Sequence, residues 1–349
     1  MIIFTYLKIK ILFKNLYYFV YIFKIKKNLN MSLTTLNKKK VSNLCLGTWA
    51  IGGNNNKSKA YGPLKEKPEN IIKYSFKKKI NFFDTANVYG NSEKILGKVF
   101  YKKRDSVFIA SKVGCISFDK QLDFSKIFIK KQIKKILSNL QTDYIDLIQL
   151  YGPPKKISEI KDCLNFLTQL KKKKIIRYLG ISLKNPSDYL YFRKFYKFDV
   201  IQFNFNILDH RVLEKKLWKK IKNDNIFVLP RTILNFGIFT EKFINSKLNF
   251  FKNDHRSKWD KQQINRWVNY SKKIKILIKK DIEEICYRFC KNFYFKNIII
   301  GAKEKKHIDQ SLKIFKQPKL NNEELKIIMK IYNQYCKSLI IKPKYKMKS

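Results

Sequence analysis

The sequence predicts an α/β fold: a (β/α)8 TIM barrel, one domain with an extra C-terminal helix. Three observations carry that expectation. From residue 44 onward, short apolar runs alternate eight times with amphipathic lysine-rich segments, about 30 residues per unit, which implies parallel pairing through crossover helices. The length of 349 residues suits one eight-unit barrel. Neither GxGxxG nor GxxxxGK[ST] follows any strand, which leaves an open doubly wound sheet as the runner-up.

The elements follow in order. LCLG (44–47) reads as the first strand. PENIIKYSFKKK (68–79) reads as a helix with Pro near its start. INFFD (80–84) is a strand, and SEKILGKVF (92–100) a short helix with Ser92 as its expected cap. VFIASK (107–112) is a strand. SKIFIKKQIKKILSNL (125–140) is a helix, because Ile129, Ile133, Ile136, Leu137 and Leu140 recur at helical spacing. Strands at 144–150, 176–182, 200–205 and 226–230 alternate with helices at 157–172, 186–196 and 214–222. A long polar, aromatic segment precedes a helix over about 281–291, the eighth strand NIIIGA (297–302), and closing helices at 305–315 and 323–339. The last of these carries Leu325, Ile328, Met329, Cys336 and Leu339 on one stripe, as barrel packing does.

Hydrophobic residues make up 45%, enough for a large core and against wholesale disorder. The formal net charge of +50 would ordinarily suggest nucleic acid. Here the excess is spread evenly and accompanies abundant Asn, Ile, Phe and Tyr, as an AT-rich genome would produce, so no specific nucleic-acid partner is expected. Ordinary GC content around the gene would sink that explanation. The six cysteines (45, 115, 163, 286, 290, 336) form no CxxC pair, and Cys286 and Cys290 lack completing ligands. No metal site is expected, and the cysteines read as reduced thiols of a cytoplasmic protein.

Residues 1–30 hold six lysines and no acid, and read as an upstream or targeting extension outside the fold. Their longest apolar run, LYYFVYIF (16–23), is too short to span a bilayer, which needs roughly 20 residues. Met31 opens what reads as a natural beginning. The barrel is expected over 31–340 and a basic tail over 341–349.

Functional groups of such barrels lie at the C-terminal ends of the strands. In order, those ends offer Gly47, Thr48 and Trp49; Asp84, with Tyr89 in the following loop; Lys112; Tyr151; Ser182; Gln202 and Asn206; Arg231; and Gly301, Ala302 and Lys303. A free phenol, with a pKa of about 10, is a weak acid near neutrality. A neighbouring ammonium favours the phenolate, and a carboxylate paired with the ammonium compensates its burial. Asp84, Tyr89 and Lys112 thus form a workable general acid for a developing alkoxide. Alone, each residue would read as a cap, a core aromatic or a solvated amine; the combination at adjacent strand ends is the signal.

From about 31 to 340 the chain resembles the aldo-keto reductase superfamily. LCLGTWAIGG (44–53), INFFDTANVYGNSEKILG (80–97), VFIASKVG (107–114), LQTDYIDLIQL (140–150), IIRYLGIS (175–182), VIQFNFNILDHR (200–211) and NIIIGAKE (297–304) stand in that family's order. The resemblance implies a barrel that binds NADPH without a Rossmann motif and passes hydride to an aldehyde or ketone. It implies Tyr89 as proton donor, Lys112 tuning it and Asp84 orienting Lys112. It further implies cofactor contacts from Thr48, Trp49, Ser182, Gln202, Arg231, Leu234, Gly237, Gly301, Ala302, Lys303 and Gln310. Among these, Ser182 and Gln202 would meet the nicotinamide carboxamide, Arg231 would pack against its ring, and Lys303 would face the adenosine 2′-phosphate.

The pattern breaks at Tyr151, which stands where the family usually has a histidine. None of His210, His255 and His307 replaces it by motif order. Tyr151 keeps a hydroxyl donor but carries no charge near neutrality. Two readings stay open: Tyr151 helps bind the carbonyl substrate, or it merely fills the site and leaves a slow, cofactor-holding subunit. Leu183 for Asn, Ile300 for Pro, Ser311 for Asn and the proline-free RTIL (231–234) are smaller departures. The insert at about 238–270 is expected to cover the cofactor or the pocket rim, with Trp259 and Trp267 packing there or equally in the core or on the surface, and Trp49 as the pocket wall.

Overall fold

Eight short runs of β-branched and aromatic residues make eight strands, because each can bury both faces of a pleated sheet. The computed structural model describes residues 41–336, apart from 53–60, 118–120, 246–248, 253, 294 and 296. The expected extension (1–30) and basic tail (341–349) lie outside the described residues, as do Leu339 and the Cys336 side chain. The strands are β1 (Leu44–Gly47), β2 (Phe82–Asp84), β3 (Phe108–Val113), β4 (Ile145–Tyr151), β5 (Ile176–Ser182), β6 (Val200–Asn204), β7 (Phe227–Arg231) and β8 (Ile298–Gly301). All pair in parallel, in the order β7-β6-β5-β4-β3-β2-β1-β8, and β7 meets β8 to bring the sheet round into a barrel.

The side-chain period of two sorts each strand into an inner and an outer face. Register places Cys45 beside Phe82 and Phe82 beside Phe108, while Cys45, Ala110, Leu147, Val200, Phe227, Leu229 and Ile299 share the same apolar barrel interior. Two residues further along these strands, the inward positions turn polar: Asp84, Lys112, Gln149, Ser182 and Gln202 are all buried. An apolar plug thus underlies a polar upper layer. The outward residues form the larger core against the helices.

The helices are α1 (Pro68–Lys77), α2 (Ser92–Phe100), α3 (Lys126–Leu140), α4 (Lys161–Lys172), α5 (Tyr189–Phe192), α6 (Lys215–Asn223), α7 (Glu241–Asn245), α8 (Lys261–Ile278), α9 (Ile282–Asn292), α10 (Lys305–Lys316) and α11 (Asn322–Ile331). Ser125 caps α3 by accepting from Phe128 N, and Asn321 with Glu324 closes a capping box on α11. Three expectations need correction. Ser92 is not a cap: Asn91 takes that position, and the Ser92 hydroxyl is buried against Thr85 Oγ1. The segment read as a polar insert contains the 18-residue α8. Its buried stripe of Ile264, Trp267, Val268, Ser271, Ile274 and Ile278 is diluted by a serine, and Ile276 and Leu277 on the exposed face blur the period. The helix expected over 186–196 is a 3-10 turn followed by the four-residue α5.

Candidate active site

The loop after β2 sets Tyr89. Thr85 N donates to Ala110 O at 2.8 Å, Tyr89 N closes a turn on Ala86 O, and Gly90 (φ +63°) reverses the chain into α2. The β1 loop clamps this turn from above. Asn91 N donates to Gly52 O at 2.8 Å, and a Cβ on Gly52 would lie 1.8 Å from Tyr89 O, so only glycine permits the contact. Trp49 from the same loop stacks on Tyr89, centroids 5.8 Å apart and planes at 22°.

Beneath Tyr89 lies a buried ion pair. Lys112 Nζ donates to Asp84 Oδ2 at 2.7 Å and to Thr85 O at 2.8 Å. Asp84 Oδ1 accepts from Gln202 Nε2 at 2.8 Å and from Gln149 Nε2 at 3.4 Å. The carboxylate is therefore held by three donors from three strands, which is what a charge pair needs inside a barrel. The Lys112 ammonium lies 4.8 Å from the Tyr89 ring centroid and 5.6 Å from that of Tyr151. Their hydroxyl oxygens are 3.4 Å apart.

The electrostatics differ from the expectation that Lys112 lowers the Tyr89 pKa below that of an ordinary phenol. Burial pushes the Tyr89 hydroxyl up, and Asp84 adds to the rise; the Tyr151 hydrogen bond and Arg231 pull the other way without reversing it. Burial likewise pushes Tyr151 well up, with Tyr89 adding and Lys112 and Arg231 opposing. Burial is the largest cause at both phenols, and at Tyr89 the Asp84 carboxylate reinforces it. Both phenols are thus kept protonated, as a proton donor must be.

Ser182 donates to Gln202 Oε1 at 2.9 Å, so these two expected carboxamide contacts sit side by side, with the Gln202 amide also tied inward to Asp84. Arg231 donates to Asn204 Oδ1 and, at 3.2 Å, to Leu183 O. Thr48 is fully buried, and its hydroxyl turns to Asp84 O at 3.0 Å. Asn206 serves its own loop, accepting from Leu208 N and donating to Thr232 O. Leu234 and Gly237 (φ +80°) line the kinked turn after β7, where Thr232, Asn235 and Phe236 also take positive φ. Lys303 Nζ donates to Tyr61 O at 2.9 Å. Ala302 is buried, and Gln310 is exposed on α10. Ser311 is absorbed into the core between Tyr287 Oη and His307 O.

Sequence reasoning missed one wall of the site. His255, from the insert, packs on Trp49 with centroids 4.4 Å apart, and Tyr61 meets both rings edge-on. Burial holds the His255 imidazole down to a pKa of about 3. Trp259 packs on His255 and Phe236, while Trp267 backs Trp259 from α8. The insert reaches Trp49 through His255. No spacing in the sequence announces that contact.

The chain matches the family model described as "Aldo/keto reductase family" over residues 43–333. It belongs to the aldo/keto reductase family. It is 28% identical over 284 residues to the uncharacterized oxidoreductase YqkF of Bacillus subtilis (strain 168), covering 76% of this chain and 88% of that protein. Among solved structures, the glycerol dehydrogenase AKR11B4 from Gluconobacter oxydans matches with TM-score 0.69 and 26% identity, over 89% of this chain and 98% of that one. The holo form of aldo-keto reductase AKR11C1 from Bacillus halodurans shares the fold, with TM-score 0.65 and 23% identity over 83% of this chain and 92% of that one. The protein is accordingly an oxidoreductase of a family that uses nicotinamide cofactors.

This aldo/keto reductase offers such a cofactor a fitting surface. Among the described residues, Arg231 Nε is buried with no hydrogen-bond partner at the top of β7. Among the same residues, a Cβ at Gly301 would meet nothing within 4 Å, leaving the β8 end open to approach. The following helix, α10, starts at Lys305 with no side-chain cap from Glu304, so its first amides and Lys303 suit a phosphate group. Among the described residues, no group of three or more His, Cys, Asp or Glu could hold a metal, and no helix is long and apolar enough to cross a membrane.

Proposed function

We propose that the protein reduces a small-molecule aldehyde or ketone with NADPH, Tyr89 giving the proton. The observation that supports this is the buried Lys112–Asp84 pair seated under the Tyr89 ring. Bound NADPH would supply the hydride. Tyr89 holds its proton until negative charge develops on the carbonyl oxygen, and Lys112 then provides the counter-charge to the phenolate. Asp84 keeps Lys112 in place, and Gln202 and Gln149 keep Asp84 in place. With NADPH bound, Ser182 and Gln202 would hold the carboxamide, Arg231 would pack against the nicotinamide ring, and Lys303 with the α10 terminus would take the 2′-phosphate side. Trp49 excludes water over Tyr89. The free, buried cysteines among the described residues suit a cytoplasmic site of action.

The test mixes the full chain with NADPH and an activated aromatic aldehyde and follows reduced-nicotinamide absorbance. Aldehyde-dependent oxidation is expected. Tyr89→Phe should abolish it while protein fluorescence still reports NADPH binding. A second reading, a cofactor-holding subunit with little turnover, has Tyr151 in its favour. It expects NADPH binding and negligible turnover, unchanged by Tyr89→Phe.

A further inference from the structure

We propose that Glu93 is a positioning residue for the proton donor: it locks the start of α2, and with it Tyr89, to the strand that carries Lys112. This rests on the reductase reading above. Tyr89 and Lys112 come from different elements, so their 4.8 Å approach depends on what ties the 85–91 loop to β3. The start of the loop is tied directly. Thr85 N donates to Ala110 O, and Thr85 O accepts from Lys112 Nζ, both at 2.8 Å. The far end turns at Gly90 (φ +63°), where a glycine backbone offers little resistance of its own.

Glu93 supplies the second tie. It lies in the first turn of α2, shortly after Tyr89, and is only 3% exposed. Glu93 Oε1 accepts from Ser111 Oγ at 2.6 Å, and Oε2 accepts from Asn139 Nδ2 at 3.0 Å. Ser111 directly precedes Lys112 on β3, so the two side chains leave opposite faces. Lys112 points into the barrel toward Asp84, and Ser111 points out toward α2. Asn139 stands at the end of α3, where Gly97 lets the two helices touch. One carboxyl group thus joins the helix behind Tyr89, the strand of Lys112 and α3.

An acid is a costly choice at such a place. Burial pushes the Glu93 carboxyl up, and its bonds to Ser111 and Asn139, with the Lys135 and Lys112 charges, oppose this without reversing it. An apolar side chain of similar size would avoid that desolvation. Leu96 and Phe100 already seat the rest of α2 in the core. What the carboxyl group adds is direction. Two hydrogen bonds fix a distance and an angle that apolar contact leaves loose.

The consequence falls on the rate. Tyr89 can give up its proton only as far as Lys112 meets the charge left behind, and that attraction weakens with distance. A misplacement of ~1 Å can cost about 100-fold, even when its cause lies away from the chemistry. Loosening the start of α2 should therefore lower kcat and leave the surface that would take the cofactor as it is.

The experiment uses the full chain as parent, Glu93→Gln and Glu93→Leu. Glutamine can keep both bonds, its carbonyl accepting from Asn139 and its amide donating to the Ser111 hydroxyl. Leucine can make neither. Should Glu93→Leu not fold, Ser111→Ala, which removes the 2.6 Å bond alone, takes its place. Four quantities are measured: kcat with benzaldehyde, NADPH affinity by fluorescence, the urea midpoint, and hydrogen exchange of the 85–92 segment by mass spectrometry. The Tyr89, Asn91 and Ser92 amides in that segment donate to Ala86 O, Gly52 O and Tyr89 O, so exchange there reports opening of the turn. Glu93→Leu should lose between about 10- and 100-fold in kcat, with NADPH affinity unchanged and the segment exchanging faster. Glu93→Gln should keep the parent's rate and protection. A glutamate that only stabilised the fold would lower the urea midpoint and leave kcat of the folded variant alone. An active parent whose Glu93→Leu variant keeps its kcat or its protection overturns this inference alone, as does a Glu93→Gln variant as slow as Glu93→Leu. An inactive parent overturns the reductase reading, and exchange then decides: faster exchange in Glu93→Leu leaves the tie standing, and equal exchange overturns both.

Discussion

Lys112→Met should cost about 3 kcal/mol of folding stability. The substitution removes the ammonium 2.7 Å from Asp84 Oδ2, in a pair whose side chains are 0% and 5% exposed. Breaking such a pair from one side typically costs about 3–5 kcal/mol, because the remaining charge is left in a poorly solvating interior. Gln202 and Gln149 still donate to Asp84 Oδ1, which places the loss at the lower end of that range. Adding Asp84→Asn removes the stranded charge, so the double variant should recover about 2 kcal/mol relative to Lys112→Met. Urea unfolding followed by fluorescence and far-UV circular dichroism gives the differences, provided the two signals coincide. A deficit under about 1 kcal/mol, or a double variant as unstable as the single one, would refute the reasoning.

Gly97→Ala should destabilise by about 1–3 kcal/mol in the same urea assay, since its Cβ would lie 2.2 Å from Asn139 O and 2.9 Å from Leu140 backbone atoms, forcing α2 away from α3. The Arg193 guanidinium and the Tyr189 hydroxyl hold the Asp224 carboxyl below its ordinary value, so its contribution is present above about pH 4 and lost as pH falls through the lowered pKa. Asp224→Asn should therefore match the parent's stability more closely at pH 3 than at pH 7, and an equal gap at both would count against it. His255 should stay neutral from about pH 5 to 8 by NMR titration of its ring protons. Because the unfolded chain takes up that proton near pH 6.5 and the folded one only near 3, stability should fall as pH drops between them, and His255→Phe should reduce that loss.

Much of the barrel was legible because each unit obeys local rules. INFFD ends in an acid where an apolar strand emerges at the mouth, and SEKILGKVF folds as helix over the residues its period marks. Asp84 and Lys112 could be paired from sequence because neighbouring parallel strands bring their ends together. Gln149 could not be read the same way. It lies mid-strand in an apolar run, and only the stagger of β4 against β3, which sets it beside Lys112, explains its amide on Asp84. The Ser92 expectation failed because a cap is chosen by backbone angles, and Asn91 had already taken the non-helical position.

The sequence by itself determined the parallel eight-fold alternation, the strand ends and the candidate acid with its amine and carboxylate. These follow from periodicity and from which residues terminate an apolar run, and both are local along the chain. Tertiary structure alone decided the 3.4 Å approach of Tyr151 to Tyr89, the His255 face on Trp49 and the upward pull of burial on both phenols. Each depends on groups 62 to 206 positions apart, or on the water excluded between them. Desolvation is a property of the packed mouth, and it is the largest cause of the rise at both phenols.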